Sequence, residues 1–536
     1  MEGLERLSSR LVKRAALAVL LLLGSVASAD EQRWLAHVRY LSDDGLEGRN
    51  TGSPGHRVAA EYVARHFQEA GLAPAGTLGF FQPVAFRTRR IVEKRSSLAL
   101  VRAGKSEPLE LGEDATISMR VPPAPSLEAG LVFVGYGLTV PELGIDELAG
   151  HDLRGKLAVY VSGGPASIPG PLLAHYQSAG ERWAFLRKAG AVGTLQIQNP
   201  RGQDVPWERS KLARLQPAME LEDERLVETR GQRLALTLNP ARAEKFFAAS
   251  GRSFKEVLEL AQERKPLPGF ALGVALKAKV AFESSQVVSH NVAAVLPGSD
   301  PALKDEFVVL SAHLDHLGAG EPIDGDRIYN GAMDNASGVA TLLDVAAALR
   351  ESRAAPRRSL LFLAVTAEEK GLLGSRYYAA HPTVTPASIV ANVNTDMFLP
   401  FYPLKHLIVH GLDESDLGDL IRQVAASLGI EAVNDPEPER NAFIRSDQYS
   451  FIKKGVPALS MKVGYLKDSP EAKVAKDWRT KHYHAPSDHA SQPLDLRAVA
   501  DFDKVMAKLA LAIADRGERP RWKDDSFFRR FAPATR

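Results

Sequence analysis

The sequence predicts an α/β protein in which a mainly parallel, mixed sheet lies between two helix layers and carries a separate β-rich insert. From residue 291 onwards, apolar strands alternate with amphipathic helices, the pattern of a mainly parallel sheet in a three-layer fold. The strands predicted at 307–313 and 359–365 are strongly apolar. Between 131 and about 282, strands follow one another across Gly-rich turns with one helix, and this change of pattern indicates the insert.

The individual elements follow from hydrophobic periodicity and from the Gly and Pro residues that end them. Predicted helices span 31–41, 57–70, 182–188, 338–349, 371–380, 415–428 and 494–513. Predicted strands span 131–134, 156–161, 194–198, 307–313, 359–365, 388–393, 407–409 and 456–461, with further short strands between 81 and 111.

The chain of 536 residues leaves room for more than one core, because single cores stop growing at roughly 250–300 residues. We predict a signal peptide at 1–29 and the amino-terminal part of the main domain at 30–125. The insert is predicted at 126–285, the main α/β domain at 286–515 and a basic, peripheral tail at 516–536.

The first 29 residues have the three parts of a secretory signal peptide. Basic residues are followed by an apolar run at 15–23 and by the small residues Ala27 and Ala29. The run is too short for a membrane anchor, because spanning a bilayer takes about 20 apolar residues. We therefore expect export to the periplasm or the medium, cleavage near Ala29 and no stable membrane insertion afterwards.

Charge and cysteine content narrow the classes of function. The 67 basic and 65 acidic residues nearly cancel, so no global field is available to recruit nucleic acid. The absence of cysteine excludes disulfides, thiolate metal ligands and a cysteine nucleophile. A metal site in this chain must therefore use His, Asp and Glu, a ligand set that suits zinc.

Polar side chains follow three successive apolar strands of the main domain. In open α/β sheets, ligands bind beyond the carboxyl ends of the strands, so these side chains are expected to meet at one edge. The set, with one residue from the loop between the first two strands, is His313, Asp315, Asp334, Glu368, Glu369 and Asp396.

Each of these residues also has an ordinary structural explanation. His313 and Asp315 could belong to a surface loop, Asp334 could cap a helix, and the Glu pair could form an acidic first helical turn. These explanations do not account for the convergence of all of them on one sheet edge. The convergence favours a metal site.

At this point the chain resembles metallopeptidase family twenty-eight, the group of bacterial leucyl aminopeptidase, aminopeptidase Y and glutamate carboxypeptidase. Five segments in order carry the resemblance: 311–316 (Ser-Ala-His-Leu-Asp-His), 334–338 (Asp-Asn-Ala-Ser-Gly), 366–371 (Thr-Ala-Glu-Glu-Lys-Gly), 394–397 (Asn-Thr-Asp-Met) and Tyr483-His484 with Asp488. The similarity covers 291–514, segment 46–72 resembles the family's amino-terminal part, and 131–282 resembles a protease-associated domain.

The resemblance implies two zinc ions and a role for each motif residue. The implied ligands are His313, Asp334, Glu369, Asp396 and His484, with Asp334 shared between both ions, His313 and Asp396 on one, and Glu369 and His484 on the other. Glu368 is implied to be the general base that takes a proton from water and passes it to the leaving amine. Asp315 is implied to orient His313, and a cis peptide bond is implied between Asp334 and Asn335.

Some positions stay open at the level of the sequence. His482 and His489 lie close to His484, and a loop could present any of the three, although the motif favours His484. His316 is interpreted as a wall or surface residue.

Substrate contacts are expected from Arg445, Asp447 and Tyr483, but residues 446–449 read Ser-Asp-Gln-Tyr where many family members read Ser-Asp-His. This departure puts the substrate contacts in doubt. Arg445 could bind a carboxylate in bidentate fashion or be solvated.

The sequence thus predicts an exported zinc exopeptidase acting on peptides, with an aminopeptidase as the leading interpretation. The insert is expected either to cover or border the cleft or to be a spacer or protein-contact module with no part in catalysis. A carboxypeptidase or dipeptidase of the same fold would need a basic pocket for a substrate carboxylate. A glutaminyl-cyclase-like acyltransferase typically uses one zinc and lacks a large insert. A non-catalytic binding module would have lost metal ligands, whereas every expected ligand is present here.

Overall fold

The computed structural model describes residues 30–533 apart from residue 203, and the predicted signal peptide at 1–29 lies outside the described residues. These residues form two large sheets and two small two-stranded ones. No helix among the described residues combines the length and the apolar character needed to cross a bilayer.

The described strands follow in chain order. They are β1 (Ala73–Pro74), β2 (Phe81–Ile91), β3 (Ser97–Arg102), β4 (Lys105–Leu109), β5 (Ala115–Ile117), β6 (Ser126–Val134), β7 (Thr139–Val140), β8 (Ile145–Asp146), β9 (Leu157–Val161), β10 (Gly193–Ile197), β11 (Ala218–Leu221), β12 (Ala235–Leu238), β13 (Gly269–Lys279), β14 (Phe282–Leu296), β15 (Phe307–His313), β16 (Gly318–Ile323), β17 (Asp326–Tyr329), β18 (Ser359–Val365), β19 (Ile389–Thr395), β20 (His406–His410), β21 (Glu431–Val433) and β22 (Ala458–Gly464).

The described α-helices are α1 (Glu31–Leu41), α2 (Pro54–Glu69), α3 (Gly170–Tyr176), α4 (Ala179–Lys188), α5 (Trp207–Ser210), α6 (Glu244–Phe247), α7 (Phe254–Gln262), α8 (Ser337–Glu351), α9 (Leu373–Ala380), α10 (Leu417–Ser427), α11 (Gln448–Ile452), α12 (Pro470–Lys481) and α13 (Leu496–Ala514). The helices and strands predicted from periodicity are present. Their ends agree within three residues except that β6 begins five residues before the predicted strand at 131–134.

The first sheet has ten strands in the order β11-β2-β14-β18-β15-β19-β22-β20-β21, with β1 paired to β14. Its four central strands, β18, β15, β19 and β22, are parallel, whereas β2, β14 and β20 join the sheet through antiparallel pairs. The sheet is therefore mixed as predicted, with parallel pairing among its four central strands and again between β20 and β21 at one edge. The long antiparallel pair of β2 and β14 extends one side of the sheet beyond the parallel strands.

Alternating residues of the central strands bury their side chains on opposite faces. Phe362 and Leu310 pack on one face against helices α1, α2, α8 and α13. Leu361 and Val309 pack on the other face with Tyr378 of α9 and Phe451 of α11. Because strand side chains alternate with a period of two, one apolar strand supplies both cores, and the three-layer fold follows.

The second sheet has eight strands in the order β4-β3-β13-β6-β9-β10-β12-β5. Strands β3, β4 and β5 come from 97–117, which the predicted boundary at residue 125 assigns to the main domain. The division between the two sheets instead lies between β2 and β3, because β3 pairs with β13, the strand that returns to the first sheet through β14. The predicted boundary does not coincide with this division.

The segment that carries the second sheet, residues 97–279, makes several contacts with the first sheet and its helices. Its strand β11 adds to the edge of the first sheet by pairing with β2. Glu228 forms an ion pair with Arg376 of α9 at 2.8 Å, and His175 Nδ1 lies 2.8 Å from the Tyr449 hydroxyl of α11. These contacts cross the gap between the sheets and keep the segment beside the carboxyl ends of the central strands.

The tail at 516–536 is not peripheral over the part that the structure describes, which ends at residue 533. Phe528 is fully buried, and the Trp522 indole donates a hydrogen bond to the Gly455 carbonyl at 2.9 Å. Arg530 forms an ion pair with Glu142 of the second sheet's segment. The two aromatic residues interrupt the basic pattern and account for this packing, because burying their rings removes a large apolar area from water.

Phe362 offers a direct test of the double-faced core. Replacing this fully buried ring with alanine leaves a cavity, so Phe362→Ala is expected to lower the free energy of unfolding by about 3–5 kcal/mol. Val288→Ala, at a position 54% exposed on β14, is the control and is expected to change it by less than about 0.5 kcal/mol. Chemical denaturation followed by circular dichroism measures both. Equal effects of the two substitutions would contradict the assignment of Phe362 to the core.

Candidate metal centre

Neighbouring parallel strands bring the predicted residues to one edge of the first sheet. Strand β15 lies between β18 and β19, and His313 is its last residue. Glu368 and Glu369 lie in the turn after β18, and Asp396 directly follows β19. Asp334 joins them from the tight turn that precedes α8. The carboxyl ends of parallel strands share one edge, which explains the meeting of residues that are far apart in the chain.

The first group of donor atoms consists of His313, Asp334 and Asp396. His313 Nε2 lies 3.2 Å from Asp334 Oδ1 and 3.4 Å from Asp396 Oδ1. All three side chains are buried, and their ligand atoms lie within 4.8 Å of one another.

The second group contains the other oxygen of Asp334. His484 Nε2 lies 3.3 Å from Asp334 Oδ2 and 3.2 Å from Glu369 Oε2. His316 Nδ1 lies 2.7 Å from Glu369 Oε1 and 3.8 Å from Asp334 Oδ2. One carboxylate, that of Asp334, therefore faces both groups.

Several of these buried atoms lie close to one another, yet none makes a well-oriented hydrogen bond within the described part of the chain. They are His313 Nε2, His316 Nδ1 and Nε2, Asp334 Oδ2, Glu369 Oε1 and Asp396 Oδ1. A buried polar atom without a partner costs free energy, so such a cluster needs an explanation. Imidazole nitrogens and carboxylate oxygens are zinc ligands, and two groups sharing one carboxylate fit two adjacent ions.

The pKa values of the side chains in the cluster reflect an excess of carboxylates over imidazoles. Burial alone would lower the pKa of His313, but Glu368 and Asp396 outweigh it and raise that pKa well above its usual value. Burial and Glu369 act to raise the pKa of Asp334, yet contacts with His313 and His484 lower it to about 2. Within this cluster, positive charge is therefore the stabilising partner of the carboxylates.

Glu368 lies beside the first group on the wall of the cleft. Burial raises its pKa well above the usual value, and the like charges of Glu369 and Asp396 act in the same direction, whereas His313 opposes them. A carboxyl with a raised pKa beside a cleft is suited to accept a proton and release it.

Asp315 does not have the contact that the resemblance implies for its side chain. His313 Nδ1 lies 3.0 Å from the backbone carbonyl of Asp315, so the carbonyl rather than the carboxylate orients the imidazole. The carboxylate accepts hydrogen bonds from the amides of Glu368 at 3.0 Å and Glu369 at 3.3 Å, and from the Thr51 hydroxyl at 3.0 Å. Asp315 thus fixes the turn that presents both glutamates.

Asp488 performs the same task for Asp334. Its carboxylate accepts hydrogen bonds from the amides of Met333 and Asp334, each at 3.0 Å, and from the Gln492 side chain at 2.8 Å. Gly331 has a φ of +60° and leaves no room for a side chain, because an added Cβ would lie 2.2 Å from the Asp334 carbonyl. The Asp334–Asn335 peptide bond is cis, as the resemblance implies.

Arg49 is a supporting residue that no sequence signal indicated. It is fully buried, and its guanidinium donates hydrogen bonds to the carbonyls of Leu314, Asn330 and Gly331. Burial lowers its pKa to about 10, against the attraction of Asp488 and Asp315. An isolated Arg in a loop gives no hint of burial, so only the folded chain identifies this role.

Of the two interpretations of His316 from the sequence, a wall residue or a surface residue, the structure contradicts the surface one. His316 is fully buried in the second group, behind His484, whose side chain is 26% exposed. Of the neighbouring histidines, His482 lies 2.9 Å from the Ser487 hydroxyl and His489 lies 2.8 Å from the Ser491 hydroxyl. His484 is thus the member of the trio that reaches both Asp334 and Glu369.

The three expected substrate contacts lie in different surroundings. Tyr483 and Arg445 line the cleft next to the first group, and the Tyr483 ring lies 3.9 Å from the His484 ring. The Arg445 side chain is 48% exposed and lies 3.4 Å from Asp204. Asp447 is fully buried beneath the cleft, where burial raises its pKa to about 7, so the expected contact between its side chain and substrate does not fit.

Part of this chain, including the residues of both donor groups, is similar to known proteins. Residues 291–510 match the model of peptidase family M28. The chain is 29% identical over 194 residues to leupeptin-inactivating enzyme 1 of Streptomyces exfoliatus, covering 36% of this chain and 40% of that protein. It is 31% identical over 179 residues to probable leucine aminopeptidase 2 of Aspergillus oryzae, covering 32% of each. The chain thus spans less than half the length of these curated relatives.

A solved structure shares the fold over nearly the whole chain. The aminopeptidase from Aneurinibacillus sp. strain AM-1 superposes with a TM-score of 0.56 at 19% identity, covering 92% of this chain and 95% of that one. At this identity the likeness establishes the fold alone. The match to the model of peptidase family M28 covers the strands, turns and histidine loop that form both donor groups, so residues 291–510 are similar to that family.

Proposed function

We propose that this protein is a zinc-dependent aminopeptidase that holds two zinc ions. The observation that carries the proposal is the sharing of one buried carboxylate, Asp334, between two groups of His, Asp and Glu donors. The family match over 291–510 supports peptide hydrolysis, and the names of the relatives support the release of amino-terminal residues.

In this proposal His313, Asp334 and Asp396 hold the first zinc. Asp334, Glu369 and His484 hold the second, because His484 Nε2 is nearly equidistant from the two carboxylates. His316 supports Glu369 from behind at 2.7 Å. Three protein ligands at each position leave room for water or substrate, as catalytic zinc sites require.

Zinc bound at these positions would lower the pKa of a shared water and polarise the scissile carbonyl. Glu368 would take the proton from that water and deliver it to the leaving amine, since its carboxyl lies on the cleft wall with a raised pKa. Asp315 would keep Glu368 and Glu369 in their separate orientations through their backbone amides. The protein thus supplies a positioned base and a preorganised ligand set.

The ion pairs that the arginines around the cleft already form favour an aminopeptidase over a carboxypeptidase. Arg440 pairs with Asp204 at 2.8 Å, and Arg479 pairs with Glu437 at 2.7 Å. Arg445, at 3.4 Å from Asp204, is the most exposed of the three. Because Arg440 and Arg479 are each already paired with an acidic side chain, these two guanidinium groups are poor receptors for a substrate carboxylate.

The wall of the cleft beside Asp396 suggests the class of side chain accepted. Met397, Leu399, Ile408 and Val463 line it. These four side chains form an apolar stretch in an otherwise largely polar cleft, and contact with this stretch removes an apolar side chain from water, which favours peptides that begin with such residues. The word leucine in the name of the Aspergillus relative is consistent with this preference.

We also propose export to the periplasm or the medium, on the strength of the signal-peptide pattern before Asp30. The segment with the second sheet would then border the cleft as a restriction on entry. Arg120 from this segment donates a hydrogen bond to the Glu369 carbonyl at 2.7 Å, which is close to the donor groups.

Glu368→Gln tests the proposed base. The substitution keeps the shape of the side chain but removes its ability to hold a proton, so kcat on aminoacyl chromogenic substrates is expected to fall by about 10²–10⁴-fold. Zinc content, measured by plasma mass spectrometry, should stay at the level of the unsubstituted protein. Unchanged turnover with normal zinc would remove Glu368 from the mechanism, and a chelator should abolish hydrolysis by the unsubstituted protein.

Zinc stoichiometry distinguishes ligands from supporting residues. Removing a ligand should leave one position empty, so His313→Ala and His484→Ala are each expected to bind about one zinc per chain instead of about two. His316→Ala is expected to keep both ions but to bind zinc about 10–100-fold more weakly, as substitutions of residues behind the ligands typically do. Competition with a chelating dye measures the affinity. Loss of a full equivalent in His316→Ala, with both ions kept in His484→Ala, would exchange the two roles.

Arg445→Ala separates the two exopeptidase alternatives. If Arg445 does not bind a substrate carboxylate, kcat/KM on amino-terminal substrates is expected to change less than about tenfold, because an exposed ion pair contributes little. A carboxypeptidase that used Arg445 to bind the terminal carboxylate would lose ~30-fold or more on carboxyl-terminal substrates. Parallel assays on both substrate series decide between them, with the conservative Arg445→Lys as the matched control.

A further inference from the structure

The start of α1 lies against a buried carboxylate. The backbone nitrogen of Asp30, the residue before α1, lies 3.2 Å from Asp344 Oδ2 on α8. The Asp30 side chain accepts hydrogen bonds from the amides of Gln32 and Arg33 at 3.0 and 3.2 Å, and its carbonyl accepts one from Trp34 at 2.9 Å. These helix-capping bonds fix the Asp30 nitrogen in its position beside Asp344.

Asp344 belongs to a pair of buried carboxyls. Asp344 and Asp503, on α8 and α13, are 0% and 1% exposed. The Thr341 hydroxyl donates to Asp503 Oδ1 at 2.7 Å, whereas Asp503 Oδ2 is buried without a hydrogen bond. Burial, with a further contribution from Asp344, raises the pKa of Asp503 well above its usual value. The proton of the pair therefore resides on Asp503, and Asp344 is the member that carries the negative charge.

Among the described residues, Arg33 supplies the guanidinium at this site and divides it between two acids. Arg33 Nε lies 2.5 Å from Asp344 Oδ1, and Arg33 Nη1 lies 2.6 Å from Glu351 Oε1. Burying a charge is costly unless a partner of opposite charge is present. Arg33 is thus shared between Asp344 and Glu351, and the second oxygen of the Asp344 carboxylate faces the Asp30 nitrogen instead.

The predicted cleavage would create a cation at this nitrogen. Hydrolysis of the Ala29–Asp30 peptide bond consumes one water, gives Ala29 a carboxylate and leaves Asp30 with an α-amino group. An α-amino group has an ordinary pKa of about 7.7–8.0 and is mostly protonated at neutral pH. The nitrogen that lies 3.2 Å from Asp344 would then carry a positive charge instead of belonging to a neutral amide.

We propose that the mature chain begins at Asp30 and that its α-ammonium forms a buried ion pair with Asp344. Removal of the leader then strengthens the packing of α1 on α8 and α13. Helix α8 begins directly after the turn that carries Asp334, so the ion pair stabilises the element that supports the shared carboxylate. This inference rests on the proposed export and not on the proposed catalytic activity.

The experiment compares two chains that differ by one residue at the new terminus. The full chain and a variant with one valine inserted between Ala29 and Asp30 are both produced through the export route, and intact mass gives each amino terminus. Valine is too large for the residue before a signal-peptidase cut, so the variant should retain it ahead of Asp30. The full chain is expected to begin at Asp30 and to melt at least ~2 °C higher than the variant.

Asp344→Asn, made in both chains, isolates the ion pair. Asparagine keeps the size of the side chain but cannot carry the charge, so the difference in melting temperature between the two termini should disappear. A chain that begins elsewhere, equal melting temperatures, or a difference that persists undiminished after the Asp344→Asn substitution would each overturn the proposal. Because the readouts are mass and thermal stability, their outcome is separate from that of the peptidase assays.

Discussion

Mutual repulsion among carboxylates is the constraint on which the architecture around the cleft depends. Asp334, Glu368, Glu369 and Asp396 converge on one edge of the first sheet, and burial makes each charge more costly. The turns that carry these carboxylates are held in place against this repulsion by hydrogen bonds from backbone amides, which do not titrate. Asp315 receives the amides of the two glutamates, and Asp488 receives the amide of Asp334. Two further acids thereby hold the first four in place.

The carboxylates of Asp315 and Asp488 add further negative charge next to the donor groups, and the buried guanidinium of Arg49 compensates for part of it. Arg49 lies among the carbonyls that bracket the turn before Asp334 and is attracted by Asp488 and Asp315. The remaining deficit of positive charge is concentrated at the two donor groups. The same physical imbalance therefore explains both the rigid supporting shell and the affinity for metal ions that we propose.

The two sheets contribute different parts of the cleft. The first sheet presents the donor groups at the ends of its parallel strands, while the second borders the cleft and reaches the metal edge through Arg120. Ion pairs such as Glu228 with Arg376 join the two across the gap. On α8, the contact between Asp30 and Asp344 ties the start of α1 to the helix that follows Asp334. The packing of α1 and the placement of the shared carboxylate are thus linked through one helix.

The pattern of residue types along the chain was enough to predict the strands, most helix ends and the five motif residues that form the donor groups. Periodicity depends on neighbours in sequence, and parallel strands necessarily end at one edge, so His313, Glu369 and Asp396 could be brought together before any coordinates were considered. Asp334 and His484 were identified by their motifs.

Other features were decided only by tertiary structure. The sequence did not indicate that Arg49 is buried, that His316 lies in the second group, that the Asp315 carboxylate faces the amides of Glu368 and Glu369, or that β3 pairs with β13. Each of these depends on residues that are distant in the chain and on the direction in which a side chain packs. No local pattern encodes such a direction, because it is selected by the free energy of the whole assembled core.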